Sequence, residues 1–136
     1  MGPAFSFKNV TESEVTRMIR SLKPSRAKDI FGMDAVLLKE LSTTLTSPIT
    51  KMISLLISQG TFPSVWKLAV VVIVPIFKSG DPLSTCHYRP ISILPTLSKV
   101  AEKVVAEQII CHLNTSSFAL HPMQFGFRAN YSTERN

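Results

Sequence analysis

Five basic side chains close together near the N-terminus are of a type and spacing that could bind phosphate. They are Arg17, Arg20, Lys23, Arg26 and Lys28. Lysine and arginine that neutralise phosphates release counterions from RNA or DNA, which gives affinity without sequence preference. A solvated helix face that binds nothing explains the same residues almost as well, so both interpretations stay open. The whole chain has 15 Lys and Arg against nine Asp and Glu, a net charge of +6, which favours an anionic partner with nucleic acid first.

Metal-binding and catalytic patterns are absent from the sequence. Nucleotide polymerisation needs two divalent ions held by clustered carboxylates, and no such cluster occurs. Two Cys-His dipeptides have a spacing that fits no standard zinc site. Three aspartates sit in predicted loops or at a helix cap, where turn chemistry accounts for them: Asp29, Asp34 and Asp81. We therefore predict no metal site, no cofactor and no catalytic residue in this chain.

Length and composition favour one globular protein inside the cell. The chain has 136 residues, of which 45% are hydrophobic, enough for the core of a single domain. The longest apolar run, Leu68 to Phe77, is about half of what a membrane-spanning helix requires, so no membrane segment is predicted. Two cysteines and no secretory leader predict a cytoplasmic or nuclear protein rather than a secreted one.

Helical patterns occupy the first 60 residues. Thr11 and Glu14 form a capping box that predicts a helix start, and Pro24 predicts its end. Asp34 is placed to cap a short second helix, and Pro48 predicts the start of a third that Gly60 closes. One face of the first helix should be buried through Val15, Met18, Ile19 and Leu22.

A strand and a turn follow. Leu68 to Val74 is short and rich in β-branched residues, which predicts a buried strand. Pro75 cannot donate to a ladder and should mark an edge, a bulge or a bend. Residues 78–82 predict a turn, and Trp66 is expected to anchor the core.

The clearest amphipathic helix is predicted from about Thr96 to about Asn114. Its buried face is Leu97, Val100, Ala101, Val104, Val105, Ile109 and Leu113. The residues that follow, 118–128, have the composition of a turn and an aromatic segment.

Three sequence blocks, in this order, resemble the reverse transcriptases of non-long-terminal-repeat (non-LTR, LINE-type) retrotransposons over nearly the whole chain. The first runs from Phe62-Pro63-Ser64-Val65-Trp66-Lys67 to Gly80-Asp81. The second is Tyr88-Arg89-Pro90-Ile91-Ser92-Ile93-Leu94-Pro95, continuing to Glu102-Lys103. The third is Gln124-Phe125-Gly126-Phe127-Arg128, then Ser132-Thr133-Glu134. Upstream, Gly32-Met33-Asp34 stands where the family usually has Gly-Pro-Asp-Gly.

The resemblance implies an α+β fold, namely the helix-rich fingers portion of a reverse transcriptase with a short two-stranded antiparallel hairpin, as an incomplete domain. It divides the chain into a loose N-terminal segment (1–10), a helical region preceding the fingers (11–60) and the fingers portion (61–136). It also implies that Lys78 and Arg89 contact a nucleoside triphosphate. Arginine offers bidentate contacts to phosphate and lysine acts as a movable point charge. The alternatives are a solvated turn lysine and an arginine that binds a carbonyl or carboxylate.

The resemblance further places Gln124, Phe125, Gly126 and Arg128 beside the template strand, where an aromatic ring can stack and glycine lets a backbone approach closely. Burial in a core is the alternative for the phenylalanines.

The implied function is a fragment of an RNA-directed DNA polymerase that binds RNA template, DNA primer and deoxynucleoside triphosphate. In the family, Mg²⁺ is held by aspartates downstream of residue 136, so this chain alone is expected to be inactive. A remnant with weak non-specific nucleic-acid binding, or with no partner, is the alternative. Apolar surface should be exposed where the palm of the polymerase would pack.

Overall fold

The computed structural model describes residues 5–115, 121 and 123–126. This part of the chain contains helices α1 (Glu12–Ser21), α2 (Ala35–Glu40) and α3 (Ser42–Gln59), then strands β1 (Val70–Phe77) and β2 (Tyr88–Ile93), then helix α4 (Thr96–Thr115). Short 3-10 turns lie at Ser64–Lys67 and Thr85–His87. The strands form a two-stranded antiparallel sheet, so the predicted helix-rich α+β class is confirmed.

Helix α1 packs against all three other helices. Its start is the predicted capping box, in which Thr11 accepts from the Glu14 amide while the Glu14 carboxylate accepts from the Thr11 amide. That amide, with the Thr11 hydroxyl, lowers the pKa of the Glu14 carboxyl. Val15 and Ile19 are fully buried, and Leu22 adopts an extended conformation at the helix end. The predicted start, buried face and end are therefore confirmed.

The prediction for the third helix was wrong at its start. Helix α3 begins at Ser42, and Pro48 lies inside it. A proline in a helix interior removes one backbone hydrogen bond, yet the flanking turns of α3 are buried through Thr46, Ile49 and Ile53. This helix packs against α1. Gly60 ends the helix with φ 62°, the left-handed C-terminal cap that was predicted.

Helix α4 has the predicted limits but is not the clearest amphipathic helix. Its first half is buried through Val100, Ala101 and Val104, whereas Ile109 and Ile110 in its second half are exposed. Helix α1 separates its buried and exposed faces more completely. Trp66 is buried, as predicted, and its ring lies edge-on to Phe62 at 5.7 Å. The core thus lies between the helices.

Residues 5–10 run along α3 and α4. The Gln108 side chain accepts from the Lys8 amide at 2.8 Å and donates to the Lys8 carbonyl at 3.1 Å. Val10 is buried and precedes the capped Thr11, the position of a hydrophobic staple. Hydrogen bonds and burial therefore attach residues 5–10 to the helices.

The hairpin pairs mainly with itself. The predicted strand begins two residues later than expected, at Val70, and continues beyond Pro75 to Phe77. Val72 pairs with Ile91 and Ile76 with Arg89, so three residues of β1 face one residue of β2. Each of the two strands contains a proline at this irregularity, and proline cannot donate a backbone hydrogen bond to the ladder. The prediction that Pro75 marks a break in regular pairing is confirmed.

Candidate nucleic-acid interface

The turn of the hairpin is built around a glycine and a histidine. Gly80 has φ 100°, and a Cβ there would lie 2.7–2.9 Å from the His87 ring. The Asp81 carboxylate accepts from the Leu83 amide at 2.9 Å, and His87 Nδ1 lies 3.0 Å from the Asp81 carbonyl. The Lys78 amide donates to the His87 carbonyl at 2.7 Å, which extends the ladder past Phe77. These contacts define the shape of the turn.

This turn brings the two predicted triphosphate ligands to one face of the hairpin. Ile76 lies directly opposite Arg89, so both side chains leave the same face, and Lys78 returns to that face two residues later. Residues in such a diagonal relation are about 7–8 Å apart, within reach of long side chains. Both Lys78 and Arg89 are exposed. The alternation along the hairpin therefore assigns the exposed Lys78 and Arg89 to the same face.

The opposite face of the hairpin end is aromatic. The Phe77 and Tyr88 rings meet edge-on with centroids 5.4 Å apart. The Tyr88 hydroxyl donates to the Pro82 carbonyl at 2.7 Å. The ring contact and the hydrogen bond on this face stabilise the turn. Lys78 and Arg89 lie on the other face.

Of the five basic residues predicted to follow a nucleic-acid backbone, Arg17 is already paired. Its guanidinium forms a bidentate ion pair with Glu107 of α4, with N–O distances of 2.6 and 2.7 Å. The hydrogen bonds raise the pKa of Arg17 and lower that of Glu107. No other ion pair occurs within the described ranges. Arg17 thus joins α1 to α4.

The other four basic residues are exposed and continue from α1 into the loop before α2: Arg20, Lys23, Arg26 and Lys28. Two further lysines contact the end of α1. Lys39 Nζ donates to the Leu22 carbonyl at 2.5 Å, and Lys103 Nζ donates to the Ser21 hydroxyl at 3.0 Å. Cations are favourable at a helix C-terminus because of its partial negative charge. The end of α1 is therefore a strongly basic surface.

A buried carboxylate ties the loop between α1 and α2 (residues 22–34, the basic loop) to α4. Asp29 is 6% exposed and accepts from the Phe31, Met33 and Thr96 amides at 2.9, 3.0 and 2.6 Å. Thr96 is the first residue of α4, whose amide has no partner within the helix. Burial opposes the charged form, but these hydrogen bonds outweigh it, so the pKa of Asp29 is lowered. No sequence pattern indicated this long-range contact.

The predicted template segment is described only in part. The Gln124 amide donates to the His121 carbonyl at 2.9 Å, in agreement with the predicted turn. Phe125 is half-buried, and the space around the Cα of Gly126 is open. Arg128 lies outside the described residues.

The aspartates do not fit a magnesium site. The Asp29 oxygens accept from backbone amides, Asp34 caps α2 through the Leu37 amide at 2.8 Å, and Asp81 shapes the turn. Within the described residues, no three side chains of His, Cys, Asp or Glu are grouped to hold a metal ion.

The described surface is rich in apolar side chains. Leu83 at the turn is 93% exposed, and Ile76 is 57% exposed. A largely apolar groove of about 440 Å³ lies between α3 and α4, lined by Ile57, Phe62 and Ile109 among others. Apolar side chains are therefore exposed among the described residues, whereas their position against a palm stays a prediction. Among the described helices, none has the length and apolar character to cross a membrane.

The chain is similar to RNA-directed DNA polymerases of mobile elements from Drosophila melanogaster. It is 30% identical over 127 residues to the probable RNA-directed DNA polymerase from transposon BS, which covers 93% of this chain and 14% of that protein. It is 35% identical over 97 residues to the probable polymerase from transposon X-element, 71% of this chain and 10% of that protein. It is 28% identical over 125 residues to the RNA-directed DNA polymerase from mobile element jockey, which covers 91% of this chain and 13% of that protein.

The chain thus spans between 10% and 14% of the length of these relatives. No protein-family model matches it. The similarity nevertheless runs through all four helices and the hairpin. The chain belongs to the RNA-directed DNA polymerases of non-LTR retrotransposons and corresponds to a part of such a polymerase.

Proposed function

We propose that this chain contributes contacts to an incoming deoxynucleoside triphosphate and to a template strand, as part of a retrotransposon reverse transcriptase, without catalysing polymerisation by itself. Lys78 and Arg89 are the proposed ligands of the triphosphate. The observation that carries the proposal is their common exposed face at the end of the hairpin. A triphosphate concentrates negative charge, and two neighbouring cations can neutralise it together.

The proposed template contacts are supported by the basic residues at the end of α1 and in the loop that follows it. Arg20, Lys23, Arg26 and Lys28 are exposed, so each can reach a phosphate. Gln124, Phe125, Gly126 and Arg128 are proposed to lie beside the template and the new base pair. Arg17 is proposed as a structural residue rather than a phosphate ligand, because Glu107 already occupies its guanidinium. Three further points stay proposals. They are the assignment of the chain to the fingers of the polymerase, the division of the chain at residues 10 and 60, and the need of the whole polymerase for Mg²⁺.

Nuclear magnetic resonance titration with a deoxynucleoside triphosphate tests the hairpin site. We expect shifts at the Lys78 and Arg89 amides, and loss of these shifts in the double variant K78Q/R89Q. Lys67→Gln, an exposed lysine before the hairpin, is the matched control and should leave the shifts unchanged. Shifts spread evenly over all exposed lysines would contradict a defined site. Their complete absence would favour a remnant with no nucleotide partner.

A further inference from the structure

A second cleft, away from the hairpin turn, lies where the basic loop meets β2 and α4. Its volume is about 410 Å³. The loop forms one wall through Lys23 and Ser25, and β2 forms the other through Ile91, Ser92 and Ile93. Lys99, from the first turns of α4, also belongs to the lining. The cleft lining therefore combines apolar residues with three hydroxyl-bearing residues and two lysines.

The two lysines of this cleft have no acidic partner in the part of the chain that the structure describes. Lys99 is half-buried, so part of its side chain is covered by neighbouring residues. The nearby Asp29 does not compensate, because it lies outside the cleft lining and accepts from three amides. An anion in the cleft would therefore meet two lysines of its lining, Lys23 and Lys99.

The position of the loop wall is fixed. Asp29 binds the first amide of α4, and the Thr96 hydroxyl donates to the Met33 carbonyl at 3.4 Å. Ser25 accepts from the Val36 amide at 3.4 Å through its carbonyl, which fastens the other side of the loop to α2. The cleft is therefore present before any ligand binds, which lowers the entropic cost of binding.

We propose that this cleft binds one nucleotide unit of a single-stranded nucleic acid, with a phosphate between Lys23 and Lys99 and the base or sugar against Ile91 and Ile93. The volume is in the range of small-ligand sites, and an unpaired base exposes an apolar face that a duplex hides. The loop continues beyond the cleft to the exposed Arg26 and Lys28, which can take neighbouring phosphates of the same strand. The proposal rests on the proposed function and adds Ser25, Ser92 and Lys99 to it.

Fluorescence anisotropy of the 136-residue chain with a labelled oligothymidylate of about 12 nucleotides, the length that one such site and its flanks would cover, tests the cleft. We expect Lys99→Gln to weaken binding at least about tenfold, as the loss of one charge-assisted hydrogen bond would. The slope of log affinity against log salt should become shallower by about 0.7, the value for one phosphate of a single strand. Lys99→Arg should retain binding and shows that the position tolerates substitution.

Lys51→Gln is the matched control, because it removes the same charge from the exposed surface of α3, outside the cleft lining. Equal losses for the two glutamine variants would overturn the cleft and leave the proposed function standing. No binding by the unsubstituted chain would overturn the proposed function as well. If thymidine monophosphate binds as tightly as the oligonucleotide and shows the same loss in Lys99→Gln, the cleft is a mononucleotide site and the strand proposal is wrong.

Discussion

At the scale of single residues, Asp29 shows how a carboxylate in a polymerase-related chain can be structural. Its oxygens accept from amides in its own loop and from the first amide of α4, 67 positions away. The sequence correctly predicted turn chemistry for Asp29, because short-range hydrogen bonding of aspartate follows from its neighbours. The contact with Thr96 depends on how the loop and α4 pack, which no local pattern encodes.

Replacing Asp29 with asparagine should destabilise the fold. One carboxylate oxygen becomes an NH₂ group, which cannot accept from an amide and leaves a buried donor unpaired. We expect the free energy of unfolding to fall by about 1–3 kcal/mol. Urea denaturation measures it. Asp81→Asn is the matched control, because asparagine at this exposed position keeps the bond to the Leu83 amide, and it should change stability by less than about 0.5 kcal/mol. Equal effects of the two variants would contradict the role of Asp29.

The stability that Asp29 contributes should depend on pH with a defined sign. Its pKa is lowered in the folded chain, so the unfolded chain binds the proton more tightly. The contribution is complete above the pKa of an unfolded aspartate, about 3.9, and is lost as pH falls through the lower folded value. The difference in unfolding free energy between the unsubstituted chain and Asp29→Asn should stay constant from about pH 7 to pH 5 and shrink below about pH 4. A difference that grows on acidification would show that burial dominates the pKa.

At the scale of elements, the helices and the hairpin could be predicted to different extents. Capping residues and spacing gave the ends of α1 and α4, because these signals are local. The start of α3 was predicted at Pro48 but lies at Ser42. Burial of the turns that flank Pro48 outweighs the preference of proline for the first turn of a helix. The limits of β1 were shifted because its pairing extends to Phe77, and pairing depends on the partner strand. The common face of Lys78 and Arg89 likewise depends on a register that the sequence did not specify.

The hairpin turn should be sensitive to a methyl group at Gly80. Alanine there would place Cβ against the His87 ring in a backbone conformation that favours glycine. We expect hydrogen exchange of the Lys78 amide to become at least about tenfold faster, a cost of about 1.4 kcal/mol, which is in the range for such strain. Global stability should change little, because the hairpin packs mainly with itself.

Gly60→Ala is the control for backbone strain alone. Gly60 also has a positive φ, 62°, but a Cβ at this position would have no atom within 4 Å. This variant should lower the stability of α3 by about 1 kcal/mol and leave exchange at Lys78 unchanged. Unchanged exchange in Gly80→Ala would show that contact between Gly80 and His87 does not shape the turn.

At the scale of the whole molecule, the exposed apolar surface is of the kind that binds another protein surface. The groove between α3 and α4 is a defined part of this surface. Large exposed apolar areas usually mark sites of interaction. Other parts of the polymerase are our proposed occupants of this surface.

A hydrophobic dye should bind the folded chain through this groove. Ile109→Ser should reduce dye fluorescence, because Ile109 lines the groove. Ile110→Ser is the matched control: this neighbour is 54% exposed and lies outside the groove lining, so its substitution should reduce fluorescence less. Circular dichroism confirms that both variants are folded. Equal reductions would contradict the groove as the main dye site, and no dye binding by the unsubstituted chain would contradict an accessible apolar surface.

We propose that this part of a retrotransposon polymerase binds nucleic acid through its cations. The most direct measurement is the affinity of the 136-residue chain for a primer–template duplex with a single-stranded template end, determined over a range of salt concentrations. We predict a linear decrease of log affinity with log salt, with a slope of at least about −2, as expected when several phosphates are neutralised. Binding that is absent, or that does not change with salt, would contradict the claim.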